Sequence, residues 1–250
     1  MKRLTAATAL ALGLTLTAPA HAFDLSQMSD AEREAFRAEI RAYLLENPEV
    51  IMEAVAVLEQ RDAEKQAQAD VDPIAANANA LFNDPSSWIG GNPDGDITMV
   101  EFVDYRCGYC RKAHDEVAEL ISSDGNIRFI VKEFPILGEA SLTSSRFALA
   151  VRQIAGDDAY HAAGEALIKL KTDPEEPVLR RLAETLGLDA DAVLDHMQSD
   201  EVEIVIAANH ALGQQMQING TPTFVLGDQL LRGYLPLAGM RQMVKEIREE

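Results

Sequence analysis

The feature that most constrains the fold is a pair of cysteines placed between an apolar segment and a helical pattern. Cys107 and Cys110 are the only cysteines of the 250-residue chain. Residues 97–103 before them are apolar on both faces apart from Glu101, which is typical of a strand in the middle of a covered sheet. A helical pattern follows over residues 114–121. A strand that leads directly into a helix predicts an α/β fold, with both cysteines at the turn.

The spacing of the two cysteines favours redox chemistry over three alternatives. A zinc site needs four ligands, and the chain has no second cysteine pair. A structural disulfide across so short a loop removes little chain entropy and stabilises little. A Cu(I) site remains open as an alternative because copper(I) prefers soft thiolate ligands.

The position at the turn predicts different roles for the two thiols. Unpaired backbone N–H groups and the helix dipole stabilise a thiolate at a helix start, so Cys107 is predicted to be the exposed nucleophile. Cys110 lies one turn deeper on the same helix face and is predicted to be the buried resolving thiol. Arg106, Arg111 and Lys112 either add positive charge beside Cys107 or form an ordinary solvated face.

Glu101 is the one acidic residue in the apolar strand. If it is buried, desolvation raises the pKa of its carboxyl, which can then accept or relay the proton of Cys110. The alternative is a position near the sheet edge that contacts water. His114, one turn beyond Cys110, is interpreted as an ordinary surface histidine on a helix.

The remaining pattern predicts a catalytic domain over residues 72–250. It contains a second strand near 127–131, a helical insertion at about 138–216, a hairpin over 223–232 and a closing helix. Residues 23–71 form a helical segment and linker. Its two apolar stripes predict either an oligomerisation element or a cover for the catalytic domain.

Residues 1–22 have the pattern of a cleaved signal peptide. Lys2 and Arg3 precede a short apolar run that ends at the small-residue motif Ala20-His21-Ala22. The run is too short to span a bilayer, so we expect export to the periplasm. The formal net charge of −19 argues against nucleic acid and anionic membrane surfaces as partners.

Several motifs together resemble the thioredoxin superfamily over about residues 73–250. They are Cys107-Gly108-Tyr109-Cys110 after a strand, an acid six residues earlier, and Gly220-Thr221-Pro222 before a hairpin. The helical insertion resembles the DsbA branch. The resemblance implies a thioredoxin fold with a helical insertion, preceded by an N-terminal helical segment.

The resemblance also implies roles for individual residues. Pro222 is expected to follow a cis peptide bond and face the cysteines, whereas the residues alone favour an ordinary trans proline at a strand start. Thr221 is expected to present its backbone to substrate, with Gly108 and Tyr109 contributing to substrate binding. Glu101 takes the position of the buried acid, and Lys132 is its expected charge partner.

Residues 43–49 and their flanking helices are similar to the N-terminal extension of the suppressor-of-copper-sensitivity C (ScsC) group. This resemblance implies an exported thiol–disulfide oxidoreductase without a bound cofactor or metal. Gly-Tyr between the cysteines and Thr221 before the proline resemble the DsbC-type combination and favour a disulfide isomerase. The alternatives are a monomeric DsbA-like oxidase and a periplasmic Cu(I)-binding, copper-tolerance protein. The implied partners are unfolded or misoxidised proteins, a membrane redox partner, and further copies of the chain in a dimer or trimer.

Overall fold

The computed structural model describes residues 28–249. The predicted signal peptide at residues 1–22 lies outside these described residues. The chain divides into two units after Gln60. Within residues 28–249, no helix combines the length and the apolar composition needed to cross a membrane.

The described part of the first unit consists of α1 (Asp30–Glu46) and the start of α2 (Glu49–Ala76). A capping box begins α1: the Glu32 N–H donates to the Ser29 hydroxyl, and the Ser29 N–H donates to the Glu32 carboxylate. No residue of α1 is buried. The apolar stripes of both helices are therefore exposed, and they comprise Phe36, Ile40, Tyr43, Ile51, Val55, Val57 and Leu58.

The second unit contains all the strands of the described chain. They are β1 (Trp88–Gly91), β2 (Ile97–Val103), β3 (Ile127–Glu133), β4 (Thr223–Leu226) and β5 (Gln229–Arg232). The helices are α3 (Ala78–Phe82), α4 (Gly108–Asp124), α5 (Glu139–Ala155), α6 (Asp157–Lys169), α7 (Glu176–Thr185), α8 (Ala190–His196), α9 (Asp200–Gln215) and α10 (Leu237–Glu249).

The five strands form one mixed sheet in the order β1-β3-β2-β4-β5. β2 is parallel to β3, and the three other pairs are antiparallel. One face packs on α4 and α10 through Met99, Val117, Leu120, Phe224 and Val244. The other face packs on α9 and the end of α2 through Ile74, Val100, Phe102, Leu212 and Met216. A central strand covered on both faces is what the apolar segment 97–103 predicts.

Helices α5 to α9 form the insertion between β3 and β4. They share a core of buried apolar side chains that includes Phe147, Leu167, Leu179, Val193 and Val202. The sequence-based prediction of a thioredoxin fold with a helical insertion is confirmed.

Helix α2 ends later than the sequence predicts. The helix continues past residue 71, where the catalytic domain was expected to begin, and contains Pro73. Ile74 is buried in the core below the sheet. The backbone and side-chain N–H groups of Asn77 both donate to the Pro73 carbonyl, which satisfies an acceptor at the helix end. Burial of Ile74 therefore favours one more helical turn beyond the proline.

No strand was predicted at β1, because Gly90-Gly91 followed by Asn92-Pro93 is a sequence typical of a turn. Gly90 and Gly91 pair with Phe129 and Arg128 of β3, and the turn begins only at Asn92. The indole of Trp88 covers Gly90 so closely that a Cβ atom there would overlap the ring. Glycine is thus used here for close packing within an edge strand.

Candidate active site

Asp104 organises the turn between β2 and α4. Its side chain is fully buried and accepts hydrogen bonds from the backbone N–H groups of Arg106 (2.8 Å), Ile136 (2.9 Å) and Leu137 (3.1 Å). Its carbonyl accepts from the Cys107 N–H at 3.0 Å. Sequence reasoning missed Asp104, although an acidic residue directly after a buried strand is a detectable signal. These bonds fix the backbone from which α4 starts.

The two cysteines occupy the first turn of α4 as free thiols. Cys107 is the N-cap residue and is 8% exposed, whereas Cys110 is 1% exposed. Cys107 is less exposed than expected because the segment before Pro222 lies against it: its thiol donates to the Thr221 carbonyl at 3.1 Å. Burial raises the pKa of Cys110 well above its usual range, and the nearby Glu101 carboxylate raises it further.

The Thr221–Pro222 peptide bond is cis, as the resemblance implies. Two hydrogen bonds hold this segment: the Thr223 hydroxyl donates to the Gly220 carbonyl at 2.8 Å, and the Gly233 N–H donates to the Pro222 carbonyl at 2.9 Å. The structure therefore brings Cys107, Thr221 and Pro222 together from distant parts of the chain.

The basic residues around the cysteines are engaged by other groups. The Arg106 guanidinium donates to the Leu170 and Thr172 carbonyls and pairs with Asp173 at 2.9 Å. Arg111 donates to the carbonyls of Tyr105 and Leu170. Both arginines thus connect the active-site turn to the loop between α6 and α7 by hydrogen bonds. Neither is therefore an ordinary solvated side chain.

The surface beside Cys107 is open and aromatic. A Cβ atom on Gly108 would meet no atom within 4 Å. Tyr109 is 62% exposed, and its ring stacks on Tyr234 at a centroid distance of 6.3 Å. The Lys112 ammonium lies 4.2 Å from the centre of the Tyr234 ring.

Two carboxyl groups are buried on the same face of the sheet. Glu101 in β2 pairs in register with Val131 of β3, and Glu133 of β3 pairs with Val103. Burial raises the pKa of Glu101 to about 8, and the charge of Glu133 contributes to this increase. Burial also raises the pKa of Glu133, to about 7, although its hydrogen bonds oppose that effect.

Glu133 was not singled out from the sequence. It accepts hydrogen bonds from the hydroxyls of Tyr105 (2.7 Å), Tyr160 (2.6 Å) and Ser145 (2.7 Å). The Asn209 amide donates to its backbone carbonyl at 3.0 Å. Glu133 therefore joins the sheet to α5, α6 and α9. The period of two along β3 places it on the same side as the buried Phe129, which is the signal that could have found it.

The expected pairing of Lys132 with Glu101 is wrong. Lys132 pairs in register with Phe102, so its side chain points to the opposite face from Glu101. Its buried ammonium contacts Asp84 at 2.6 Å instead. Hydrogen bonds from Lys132 and Ser86 lower the pKa of Asp84 to about 2, although burial alone would raise it.

A cavity of about 550 Å³ lies beside Glu101, between α4, α6 and the β1–β3 edge of the sheet. We call it the Glu101 cavity. Its lining includes Trp88, Glu101, Val103, Val117, Phe129 and Val131. His114 also lines it and contacts Glu165 of α6 at 2.5 Å. Among residues 28–249, no three His, Cys, Asp or Glu side chains could hold a metal ion together.

The sheet order, the paired thiols at a helix start and the cis-proline beside them define a thioredoxin-fold protein. The chain belongs to the DsbA-like thioredoxin family, whose model, DSBA-like thioredoxin domain, matches residues 98–245 and thus more than half of the chain. Residues 32–65 match a second model, Copper resistance protein ScsC N-terminal domain. The resemblance inferred from the sequence is confirmed.

Solved structures agree with this assignment. A thioredoxin-like oxidoreductase from Silicibacter pomeroyi is 40% identical, with a TM-score of 0.63, and the match covers 69% of this chain and 98% of that one. ScsC from Proteus mirabilis, in a transitional conformation, is 27% identical with a TM-score of 0.63. That match covers 88% of this chain and 97% of the other.

Curated relatives include much longer proteins. The Na(+)/H(+) antiporter NhaA 1 of Salinispora arenicola is 26% identical over 146 residues, which is 58% of this chain. The chain spans about a fifth of that relative's length, since the match covers 22% of it.

Proposed function

We propose that the protein is an exported thiol–disulfide oxidoreductase that acts as a disulfide isomerase through Cys107 and Cys110. The observation that carries this proposal is the position of Cys107 at the start of α4, with its sulfur 3.1 Å from the Thr221 carbonyl beside the cis-proline. A nucleophilic sulfur next to a carbonyl that can accept a substrate N–H suits attack on a disulfide in an extended peptide.

The reaction begins with the Cys107 thiolate, which the N-terminal end of α4 stabilises. It attacks one sulfur of a substrate disulfide, forms a mixed disulfide and releases the other substrate sulfur as a thiolate. In isomerisation, another substrate thiolate attacks the mixed disulfide, a new substrate disulfide forms, and Cys107 leaves as a thiolate. No net oxidation or reduction occurs.

Cys110 provides an escape from a mixed disulfide that does not rearrange. It loses its proton and attacks Cys107, so the protein becomes oxidised and the substrate leaves reduced. Glu101 is proposed to accept that proton, and to return it when the Cys107–Cys110 disulfide is opened again. With a pKa of about 8, Glu101 is mostly protonated at pH 7 and can return the proton, while its ionised fraction, which grows towards pH 8, can accept it.

The substrates are proposed to be unfolded or misoxidised proteins in the periplasm. Gly108 leaves room beside Cys107, exposed Tyr109 offers an aromatic surface, and Thr221 offers its backbone. An isomerase must be kept reduced, so a membrane redox partner is part of the proposal. The exposed apolar stripes of α1 and α2 and the ScsC N-terminal match support assembly into a dimer or trimer.

The test compares isomerisation with oxidation in wild-type protein, Cys110→Ser and Cys107→Ser. An isomerase refolds a substrate with scrambled disulfides and retains part of this activity in Cys110→Ser, because Cys107 alone can form and release mixed disulfides. Cys107→Ser should lose all activity and serves as the control. If the wild-type protein rapidly oxidises a reduced substrate but does not refold the scrambled one, the isomerase proposal is wrong and the DsbA-like oxidase takes its place.

A further inference from the structure

The Glu101 carboxyl lacks a hydrogen-bond partner in the described part of the chain. Glu101 is 7% exposed and lines the Glu101 cavity, yet no side chain or backbone group of residues 28–249 is seen to donate to it. Glu133, on the same face, has three hydroxyl donors. The Glu101 oxygens are not sealed off by protein atoms but face the cavity, so a donor that enters the cavity can pair with them.

The cavity has the size and walls of a small-molecule site. Its volume of about 550 Å³ lies within the range of about 300–1,000 Å³ found for ligand pockets. Aromatic rings of Trp88 and Phe129 meet edge to face at its wall, with centroids 6.2 Å apart, and Val103, Val131 and Ile168 add aliphatic surface. Glu101 therefore faces a largely apolar cavity that is open to solvent on one side.

We propose that the Glu101 cavity binds a small organic cation, a primary amine with an aromatic or branched aliphatic body, whose ammonium pairs with the Glu101 carboxylate. The apolar body fills the space between α4, α6 and β3. An ammonium supplies three donors to a carboxylate that has none, and aromatic ring faces also attract cations.

The charges around the cavity favour a cation over an anion or a neutral ligand. Glu133 adds a second buried carboxylate on the same face, and Glu165 lies at the cavity wall. The whole chain carries a formal charge of −19, which raises the local concentration of cations. An anion would face these carboxylates without a compensating charge, since His114 and Lys169 already contact Glu165.

Binding has a defined pH dependence because the ammonium pairs with the ionised form of Glu101. Affinity should rise about tenfold per pH unit from pH 6 to the pKa of about 8 and level off above it. The titratable groups that face Glu101 are Glu133 of β3 with its Tyr105 and Tyr160 partners, Cys110 and His114 of α4, and His161 and Glu165 of α6. Ionisation of Glu133 near pH 7 acts in the same direction, since it adds negative charge.

The consequence for catalysis rests on the proposed function. An ammonium held on Glu101 keeps the carboxylate ionised and occupied, so it can neither take nor return the proton of Cys110. The amine should therefore slow exchange through Cys110 while leaving the attack by Cys107 unchanged.

The experiment measures binding of phenethylamine to the reduced mature protein by calorimetry and by methyl NMR. The matched neutral probe is 2-phenylethanol, which has the same ring and chain length but no charge. At pH 8, phenethylamine should bind at least tenfold more tightly than the alcohol and shift the methyl signals of Val103, Val117 and Val131. Glu101→Gln should remove this preference and the pH dependence.

A second variant tests the cavity itself without changing Glu101. Ala118 is an exposed residue of α4 that lines the cavity, so Ala118→Trp should obstruct it and weaken amine binding at least tenfold. Ala207→Trp, at an exposed position of α9 away from the cavity, is the control and should bind as wild type does. Circular dichroism and thermal unfolding establish that each variant is folded.

Equal affinity for the amine and the alcohol, no binding of the amine, or unchanged binding in Glu101→Gln overturns the inference. These results are separate from the proposed function, because binding is measured without substrate. If the amine binds but no exchange activity exists, only the proposed function fails. If exchange proceeds and no amine binds, only the amine site fails.

Discussion

Glu101 and Glu133 show how neighbouring residues of one type acquire different chemistry. Both carboxyls are buried on one face of the sheet, and burial raises the pKa of both. Glu133 accepts from the hydroxyls of Tyr105, Ser145 and Tyr160, which link the turn before α4, α5 and α6 to β3, whereas Glu101 faces a cavity. We therefore expect Glu133 to have a structural role, and proton transfer remains the role proposed for Glu101.

This difference predicts opposite stability effects for Glu101→Gln and Glu133→Gln. The pKa of Glu101 is raised in the folded state, so the folded protein binds more protons than the unfolded chain between about pH 4.5 and about pH 8. Stability conferred by the protonated carboxyl is present at low pH and lost as the pH rises through this interval, by at most about 1.4 kcal/mol per unit. Glu101→Gln should be close to wild type at pH 5 and exceed its unfolding free energy by about 3–4 kcal/mol at pH 8.

Glu133→Gln is the matched comparison. The amide has one acceptor oxygen in place of two, so the hydrogen bonds from three hydroxyl groups cannot all be kept. The substitution should reduce the unfolding free energy by about 1–3 kcal/mol at pH 5. Urea unfolding of both variants and wild type at pH 5 and pH 8 measures these differences. Stabilisation by both substitutions at pH 8, with no loss in Glu133→Gln at pH 5, would contradict the structural role of Glu133.

Sequence reasoning singled out the residues whose signal is local and missed those that depend on distant partners. Cys107 and Cys110 stand out by their spacing, and Glu101 by its contrast with an apolar strand. Asp104 is satisfied by backbone groups more than thirty residues away, at Ile136 and Leu137. The expected Lys132–Glu101 pair failed because strand pairing places the two side chains on opposite faces.

At the scale of elements, an ion pair joins α2 to β5. The Arg232 guanidinium donates to both carboxylate oxygens of Asp70, at 2.6 and 2.8 Å, and Asp70 is buried. Burial alone would raise the pKa of Asp70, but hydrogen bonds from Arg232 and Gln66 lower it overall. The pair therefore stabilises the protein above the usual pKa of an aspartate, and that contribution is lost as the pH falls below it.

Asp70→Asn should reduce the unfolding free energy by about 1–2 kcal/mol at pH 7, because Arg232 loses the charge of its bidentate partner. Asp62→Asn on the same helix is the control. Asp62 pairs with Lys65 at 3.7 Å with both side chains 77% exposed, and its loss should change stability by less than about 0.5 kcal/mol. Equal effects of the two substitutions in urea unfolding would show that the Asp70–Arg232 pair does not anchor α2.

The elements themselves were predictable in proportion to their length and periodicity. The helical insertion was predictable because most of its helices run for ten or more residues, which is long enough for an apolar face to be visible in the sequence. β1 has four residues, two of them glycine, and depends on pairing with β3. α3 has five residues, which is too short for a helical period to be visible.

At the scale of the whole molecule, we expect the N-terminal helices to determine the oligomeric state. Their apolar side chains include Ile51, 51% exposed, and Leu58, 59% exposed. Such surface is normally covered by a partner. A chain that lacks residues 23–60 still contains Asp70 and Ile74, which belong to the second unit. This unit should therefore remain folded.

The mature protein is therefore expected to form a dimer or trimer, and the chain that starts at Arg61 to be a monomer. The truncated chain should lose most refolding of scrambled disulfides and keep simple dithiol oxidation, because isomerisation benefits from several thiols around one substrate. Light scattering coupled to size-exclusion chromatography gives the masses. A monomeric mature protein with the same isomerase activity as the truncated chain would refute this role.

The placement of Trp88 has a consequence for optical measurements. It is the only tryptophan of the chain. Its indole stacks on His161, with parallel rings 5.1 Å apart, and borders the Glu101 cavity in the second unit. Intrinsic tryptophan emission therefore comes from one wall of that cavity alone. Thermal unfolding followed by tryptophan fluorescence therefore reports the unfolding of the second unit around this cavity. It does not detect a change in α1 or the start of α2, which contain no tryptophan, even if these helices dissociate from another subunit at a lower temperature.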